Sequence, residues 1–128
     1  MSTNGFLLDT TVLIDIFRGK ENTVSLITKL AEELPLAVSA VTIGEIYSGI
    51  RETEQKRVQE FLDSLVLYPI DGVISHKAGI YRREYRKKGI TLGLLDCFIA
   101  ATAVEFNLTL VTKNLRHFPM PELSIIEH

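Results

Sequence analysis

The sequence predicts a single α/β domain, a parallel sheet with helices on both faces. Short, continuous apolar runs recur along the chain, the pattern of strands buried on both sides. Longer stretches with apolar residues at helical spacing stand between them. The 128 residues, 46% hydrophobic and 23% charged, suffice for one packed core and leave little room for a second. No repeat, low-complexity tract or linker divides the chain, so one domain is expected over residues 1–128.

Phe6-Leu7-Leu8 ends in Asp9 and reads as the first strand. Thr10 or Thr11 is expected to cap a helix carrying Val12, Leu13, Ile16 and Phe17, which stops near Gly19. A second helix is expected from Glu21 to Leu34, with Val24, Ile27, Leu30 and Ala31 on one face and Pro35 as its stop. Leu36 to Ala40 forms the second strand. Ile43, Ile46, Tyr47 and Ile50 then make a helical stripe, and the following helix turns Val58, Phe61, Leu62 and Leu65 inward. Val66 to Ile70 suits a third strand. Residues 72 to 88 read as a helix closed by Gly89. Leu94 to Phe106, dense in alanine and apolar groups, is a helix ending at Asn107. Leu108 to Thr112 is another buried strand, and Ser124 to Ile126 adds an edge.

The composition excludes several classes. Fourteen basic and sixteen acidic residues give a net charge of −2, unlike a histone-type nucleic-acid binder. Cys97 is the one cysteine, so neither an intrachain disulfide nor a four-thiolate zinc site can form. The apolar runs fall well short of the roughly 20 residues of a membrane span. No basic segment followed by an apolar leader opens the chain, so a cytoplasmic protein is expected.

In open parallel sheets, ligands bind beyond the carboxyl ends of the strands. Asp9 and Asn114 follow strands there, Asp96 opens the apolar helix, and Glu45 lies on the helix after the second strand. Each has an ordinary reading. Asp9 can start a turn, Asp96 can cap its helix, and Asn114 can be a turn residue. Glu45, opposite the apolar stripe, can be a solvated surface acid. Yet Asp96 shares a helix face with Ile99, Ala100 and Ala103, where an ionised acid needs a partner or a cation. Converging carboxylates repel unless a cation neutralises them. Oxygen donors without His or Cys suit Mg²⁺ or Mn²⁺, ions used in phosphoryl chemistry. His76, His117 and His128 lack metal-motif spacing.

Positive charge is concentrated in residues 77–88. Six basic groups (Lys77, Arg82, Arg83, Arg86, Lys87, Lys88) against Glu84 give +5, leaving −7 for the rest. The run is either a solvated helix face or a phosphate-binding one, with Arg82, Arg83, Arg86, Lys87 and Lys88 as candidate RNA contacts. Tyr81 and Tyr85 in the same helix pack on the core or stack on bases.

Four segments together resemble the PIN-domain ribonucleases of the VapC toxin type. They are Leu8-Asp9-Thr10-Thr11-Val12-Leu13-Ile14-Asp15, Ser39 to Ile46, Leu94 to Ala103 and Leu110 to Phe118. The resemblance implies a three-layer α/β/α sandwich with a central, mostly parallel sheet, Mg²⁺- or Mn²⁺-dependent RNA cleavage, a homodimer and a cognate antitoxin. It matches Asp9, Glu45 and Asp96 to the acidic metal-site positions, and Asn114 to a fourth position that is Asp in many relatives. His117 stands where many such toxins carry an acid. Asp9 and Asp96 would hold the cation, and Glu45 would bind it or orient the attacking water. Thr112 or Asn114 would position a water or phosphate oxygen, with Thr10 and Asp15 as supporting residues.

An aspartyl-phosphate phosphatase would carry a second Asp where Thr11 stands. A response-regulator receiver would need paired acids after the first strand. The remaining rival is an inert PIN-like module that binds RNA or protein.

Overall fold

The computed structural model describes residues 3–128; Met1 and Ser2, at the head of the expected domain, lie outside them. The order is β1 (Phe6–Leu8), α1 (Thr10–Phe17), α2 (Glu21–Ala31), β2 (Leu36–Ser39), α3 (Ala40–Gly49), α4 (Gln55–Asp63), β3 (Val66–Tyr68), α5 (Gly72–Lys87), α6 (Leu94–Glu105), β4 (Thr109–Thr112) and β5 (Ser124–Glu127). Short 3₁₀ turns precede α4 and follow β4. Among the described residues no helix is long and apolar enough to cross a membrane.

The strands form one sheet in the order β3-β2-β1-β4-β5, every pair parallel. Leu7 registers with Ala37 on one side and Leu110 on the other. The period of two along each strand divides the core. Leu7, Ala37 and Leu110 face Ile74, Ala78, Ile99 and Ala100 of α5 and α6. Phe6, Leu8, Val38 and Val111 face Val12, Leu13, Ile46 and Val58 of α1, α3 and α4. The sheet is thus the middle of three layers, and β1 is buried throughout.

Several sequence expectations shift. The cap of α1 is Asp9, whose carboxylate accepts from the Thr10 N–H, rather than either threonine. The Thr10 hydroxyl is thereby released for another partner. Helix α2 ends at Ala31, not Leu34. Both Glu33 and Leu34 bond back to the Leu30 carbonyl, and Pro35 holds Leu34 away from the helical region. Val24 is exposed instead of facing the core with Ile27 and Leu30. Gly89 closes α5 as expected, in the left-handed region at φ 82°, with Ile90 N–H donating to the Tyr85 carbonyl. Tyr81 and Tyr85 pack on the core, their hydroxyls donating to Glu122 and to the Pro119 carbonyl.

Gly5 sits where the backbone before β1 meets the one before β2. A β-carbon there would lie 2.8 Å from the Pro35 carbonyl oxygen, which also receives the Phe6 N–H. Neither partner is a flexible side-chain end, so the strands themselves would have to move. Gly5→Ala should lower unfolding stability by about 1–3 kcal/mol, read from urea denaturation. An unchanged midpoint would show that this crossing is not tight.

Candidate active site

The order β3-β2-β1-β4-β5 places the reversal of strand order between β1 and β4, where an open parallel sheet forms a crevice. Asp9 leaves β1 there and is buried. Its Oδ1 accepts from the Thr10 N–H at 2.9 Å and its Oδ2 from the Thr112 hydroxyl at 2.7 Å. The Thr112 oxygen in turn accepts the Asn114 N–H at 3.0 Å. Asn114 therefore joins the network through its backbone.

Glu45 arrives from α3, which packs against both α1 and α6. It is half-buried, and the Thr10 hydroxyl donates to its Oε1 at 2.7 Å. The solvated reading of Glu45 does not hold. Asp96 lies in the first turn of α6, whose cap is Gly93. His117, on the turn after β4, brings Nδ1 to 3.2 Å from Asp96 Oδ2. A β-carbon on Gly93 would come equally close to that oxygen, 3.2 Å, so the missing side chain leaves Asp96 its place.

Burial raises the Asp96 carboxyl above the ordinary aspartate value, His117 opposes this, and the charges of Asp9 and Glu45 raise it further. The last two effects record the convergence of three acids from distant parts of the chain. Their oxygens are the donor type a hard divalent cation takes, and their mutual repulsion is what such an ion relieves. Among the described residues, no three His, Cys, Asp or Glu side chains are gathered closely enough to hold a metal ion by themselves.

Asp15 stands apart from this group. It is buried on α1, with Lys113 Nζ at 2.7 Å from Oδ2 and Lys20 Nζ at 3.2 Å from Oδ1. The Lys113 hydrogen bond holds its carboxyl below the ordinary value, against burial and with help from Lys20. Cys97 is buried, and burial together with Asp96 pushes its thiol up, away from nucleophilic use.

The α5 basic run is largely engaged. Arg83 and Lys87 share Glu84 at 3.2 and 3.1 Å, Lys77 meets Glu105, and Arg82 Nε donates to the Leu92 carbonyl at 3.1 Å. Arg86 and Lys88 are exposed. Sequence reasoning set His117 where many relatives carry an acid but did not foresee its contact with Asp96, and it missed Gly93. It also missed a cleft of about 560 Å³ that opens beside Glu45, with Ile14, Ile46 and Ile50 beside Arg18, Arg51 and Arg57. Its cations are scattered in sequence, so no run announced them.

Residues 6–121 match the model of the PIN domain. The chain is 38% identical over 116 residues to ribonuclease VapC10 of Mycobacterium tuberculosis, covering 91% of this chain and 87% of that one. It is 34% identical over 121 residues to ribonuclease VapC19 of the same organism, covering 91% and 95%. Among solved structures it is similar to VapBC2 of Rickettsia felis bound to a promoter DNA fragment, with a TM-score of 0.86, 25% identity and coverage of 96% and 98%. DNA-bound VapBC of Salmonella typhimurium gives a TM-score of 0.84 at 26% identity, covering 96% and 97%.

A raised folded-state carboxyl opposes folding once pH exceeds it. Asp96→Asn removes that charge with little change of shape. In EDTA near neutral pH the variant should melt at or above the wild type. A clear drop in melting temperature would mean that Asp96 stabilises the fold and is not held against its neighbours' charges.

Proposed function

The chain belongs to the PIN-domain family, and on that premise we propose that it is a Mg²⁺- or Mn²⁺-dependent ribonuclease, the toxin of a toxin–antitoxin pair. The observation that carries this reading is that Thr10 ties Asp9 and Glu45 together at the β1–β4 crevice, while burial first, and then the charges of Asp9 and Glu45, raise the Asp96 carboxyl against His117. Such acids without a cation would only cost stability, which disfavours an inert binding module.

Asp9 and Asp96 would hold the cation, and Glu45 would join them or take the proton of the attacking water. When bound, the ion supplies neutralisation of developing phosphate charge and a lowered pKa for water. The protein's own groups do the rest. Asp9 is fixed by the Thr10 N–H and the Thr112 hydroxyl. Glu45 is held through Oε1 by the Thr10 hydroxyl, leaving Oε2 for the reaction. His117 orients Asp96 through Nδ1. Thr112 couples Asp9 to the turn at Asn114, which positions a water or a phosphate oxygen at the crevice. With Cys97 buried and its thiol raised, hydrolysis proceeds without a covalent protein nucleophile.

The proposed partners follow from the surface. Arg86 and Lys88, with the outer parts of Arg82, Arg83 and Lys87, offer phosphate contacts for RNA. The arginine-bearing cleft beside Glu45 suits an antitoxin segment that covers the site. Exposed Ile90, Leu94 and Leu95 around the start of α6 suit a homodimer contact. The proposed setting is the cytoplasm.

The purified protein should cut bulk RNA with Mg²⁺ or Mn²⁺ and stop in EDTA, while Asp9→Asn and Asp96→Asn abolish cutting. Replacing Arg86 and Lys88 by Ala should lower the salt slope of RNA binding by about one per lost phosphate contact. Cleavage that persists in EDTA, or in either Asn variant, would overturn the mechanism. An unchanged slope would return α5 to a solvated face.

A further inference from the structure

Asp15 and Lys113 lie outside the acidic group, yet their ion pair touches the segment that positions it. Two acids of the α1 segment reach the exit of β4 through their side chains. At the segment's start, Asp9 receives the Thr112 hydroxyl at 2.7 Å; further on, Asp15 receives Lys113 Nζ at 2.7 Å. The two acids are six residues apart on one helix, about 9 Å along its axis. Their partners are consecutive residues. Two attachments between one rigid helix and two adjacent residues fix both the position and the direction of that exit.

The direction matters because Thr112 does two jobs with one hydroxyl. It donates to Asp9 and accepts the Asn114 N–H at 3.0 Å, so its rotamer depends on the backbone path through Lys113. Two backbone bonds also restrain this exit, the Asp9 N–H donating to the Val111 carbonyl at 3.0 Å and the His128 N–H donating to the Thr112 carbonyl at 2.9 Å, and both act before the turn. Asp15 is buried, with a side chain 6% exposed against 36% for Lys113. A pair with one member so shielded is less screened than a surface bridge. Lys20 also meets Asp15, at 3.2 Å, but comes from the α1–α2 turn and has no hold on β4.

We infer that the Asp15–Lys113 ion pair is a positioning latch, fixing the exit of β4 so that the Thr112 hydroxyl and the Asn114 turn meet Asp9. Lys113 is a positioning residue. It acts on the crevice through Thr112 and touches neither substrate nor cation. The effect on cation affinity rests on the metal-site reading given above; the effect on the Thr112–Asn114 turn does not.

The test compares Lys113→Gln, Lys113→Arg, Asp15→Asn and Lys20→Gln in the full chain. Three quantities are measured: Mn²⁺ affinity by electron paramagnetic resonance of free Mn²⁺, hydrogen exchange of the Asn114 amide in EDTA, and the melting temperature. Loss of a group that orients a metal-binding side chain typically weakens metal affinity roughly 10–100-fold. Lys113→Gln should fall in that range and speed Asn114 exchange, and Lys113→Arg should restore most of both. Asp15→Asn removes the other half of the pair and should reproduce the loss, so the test survives if one variant fails to fold. Lys20→Gln should lower the melting temperature alone. A folded Lys113→Gln protein with wild-type Mn²⁺ affinity and Asn114 protection would overturn the latch. So would a raised KM for RNA with both unchanged, which would make Lys113 an RNA contact. An equal Mn²⁺ loss in Lys20→Gln would also overturn it, assigning the effect to charge around Asp15. A wild type that takes no Mn²⁺ would defeat the metal-site reading instead, and the exchange of Asn114 would still decide the latch.

Discussion

Pairing of β1 with β2 on one side and β4 on the other brings three strand ends together, and the crevice depends on it. Asp9 leaves β1 beside Thr112 of β4 because Leu8 registers with Val111. Glu45 reaches the same place because β2 leads directly into α3. A slip of one residue in either pairing would exchange the two faces of β1 and carry Asp9 away from both partners. The buried runs Phe6–Leu8 and Thr109–Thr112 make such a slip costly, since each face of the sheet has its own packed layer.

Charge is handled in opposite ways on the two ends of α1. Asp15 is buried with two lysines, which keep it ionised and below its ordinary range. Asp9, Glu45 and Asp96 are buried to varying degree with hydroxyls, a backbone N–H and one histidine, and Asp96 is driven upward. The first arrangement is complete within the protein. The second leaves Asp96 opposed by Asp9 and Glu45 and only partly countered by His117, the imbalance that the proposed cation would relieve.

The fold was legible because buried strands and amphipathic helices leave different periods in the sequence. Asp9 and Asp96 could be picked out as acids at the borders of apolar segments. Glu45 could not be secured by spacing, since its partner Thr10 lies thirty-five residues earlier. The roles of His117 and Gly93 were hidden for a related reason: one acts by a contact across the crevice, the other by lacking a side chain. The +5 run on α5 overstated its free charge because Glu84, Glu105 and the Leu92 carbonyl engage four of its members. Val24 misled because a helix at the margin of a small domain turns part of its apolar stripe to water.

The proposed cation among the acids of the crevice is tested most directly at Asp96. Carboxyl ¹³C NMR titrations of the protein, with and without saturating Mg²⁺, follow its protonation. Without Mg²⁺ the midpoint should lie above the ordinary aspartate value of 3.8. With Mg²⁺ it should fall clearly below its metal-free position, because a cation favours the ionised form. The same midpoint in both titrations would contradict the account, since Asp96 would then feel no cation at the place where its neighbours' charges meet.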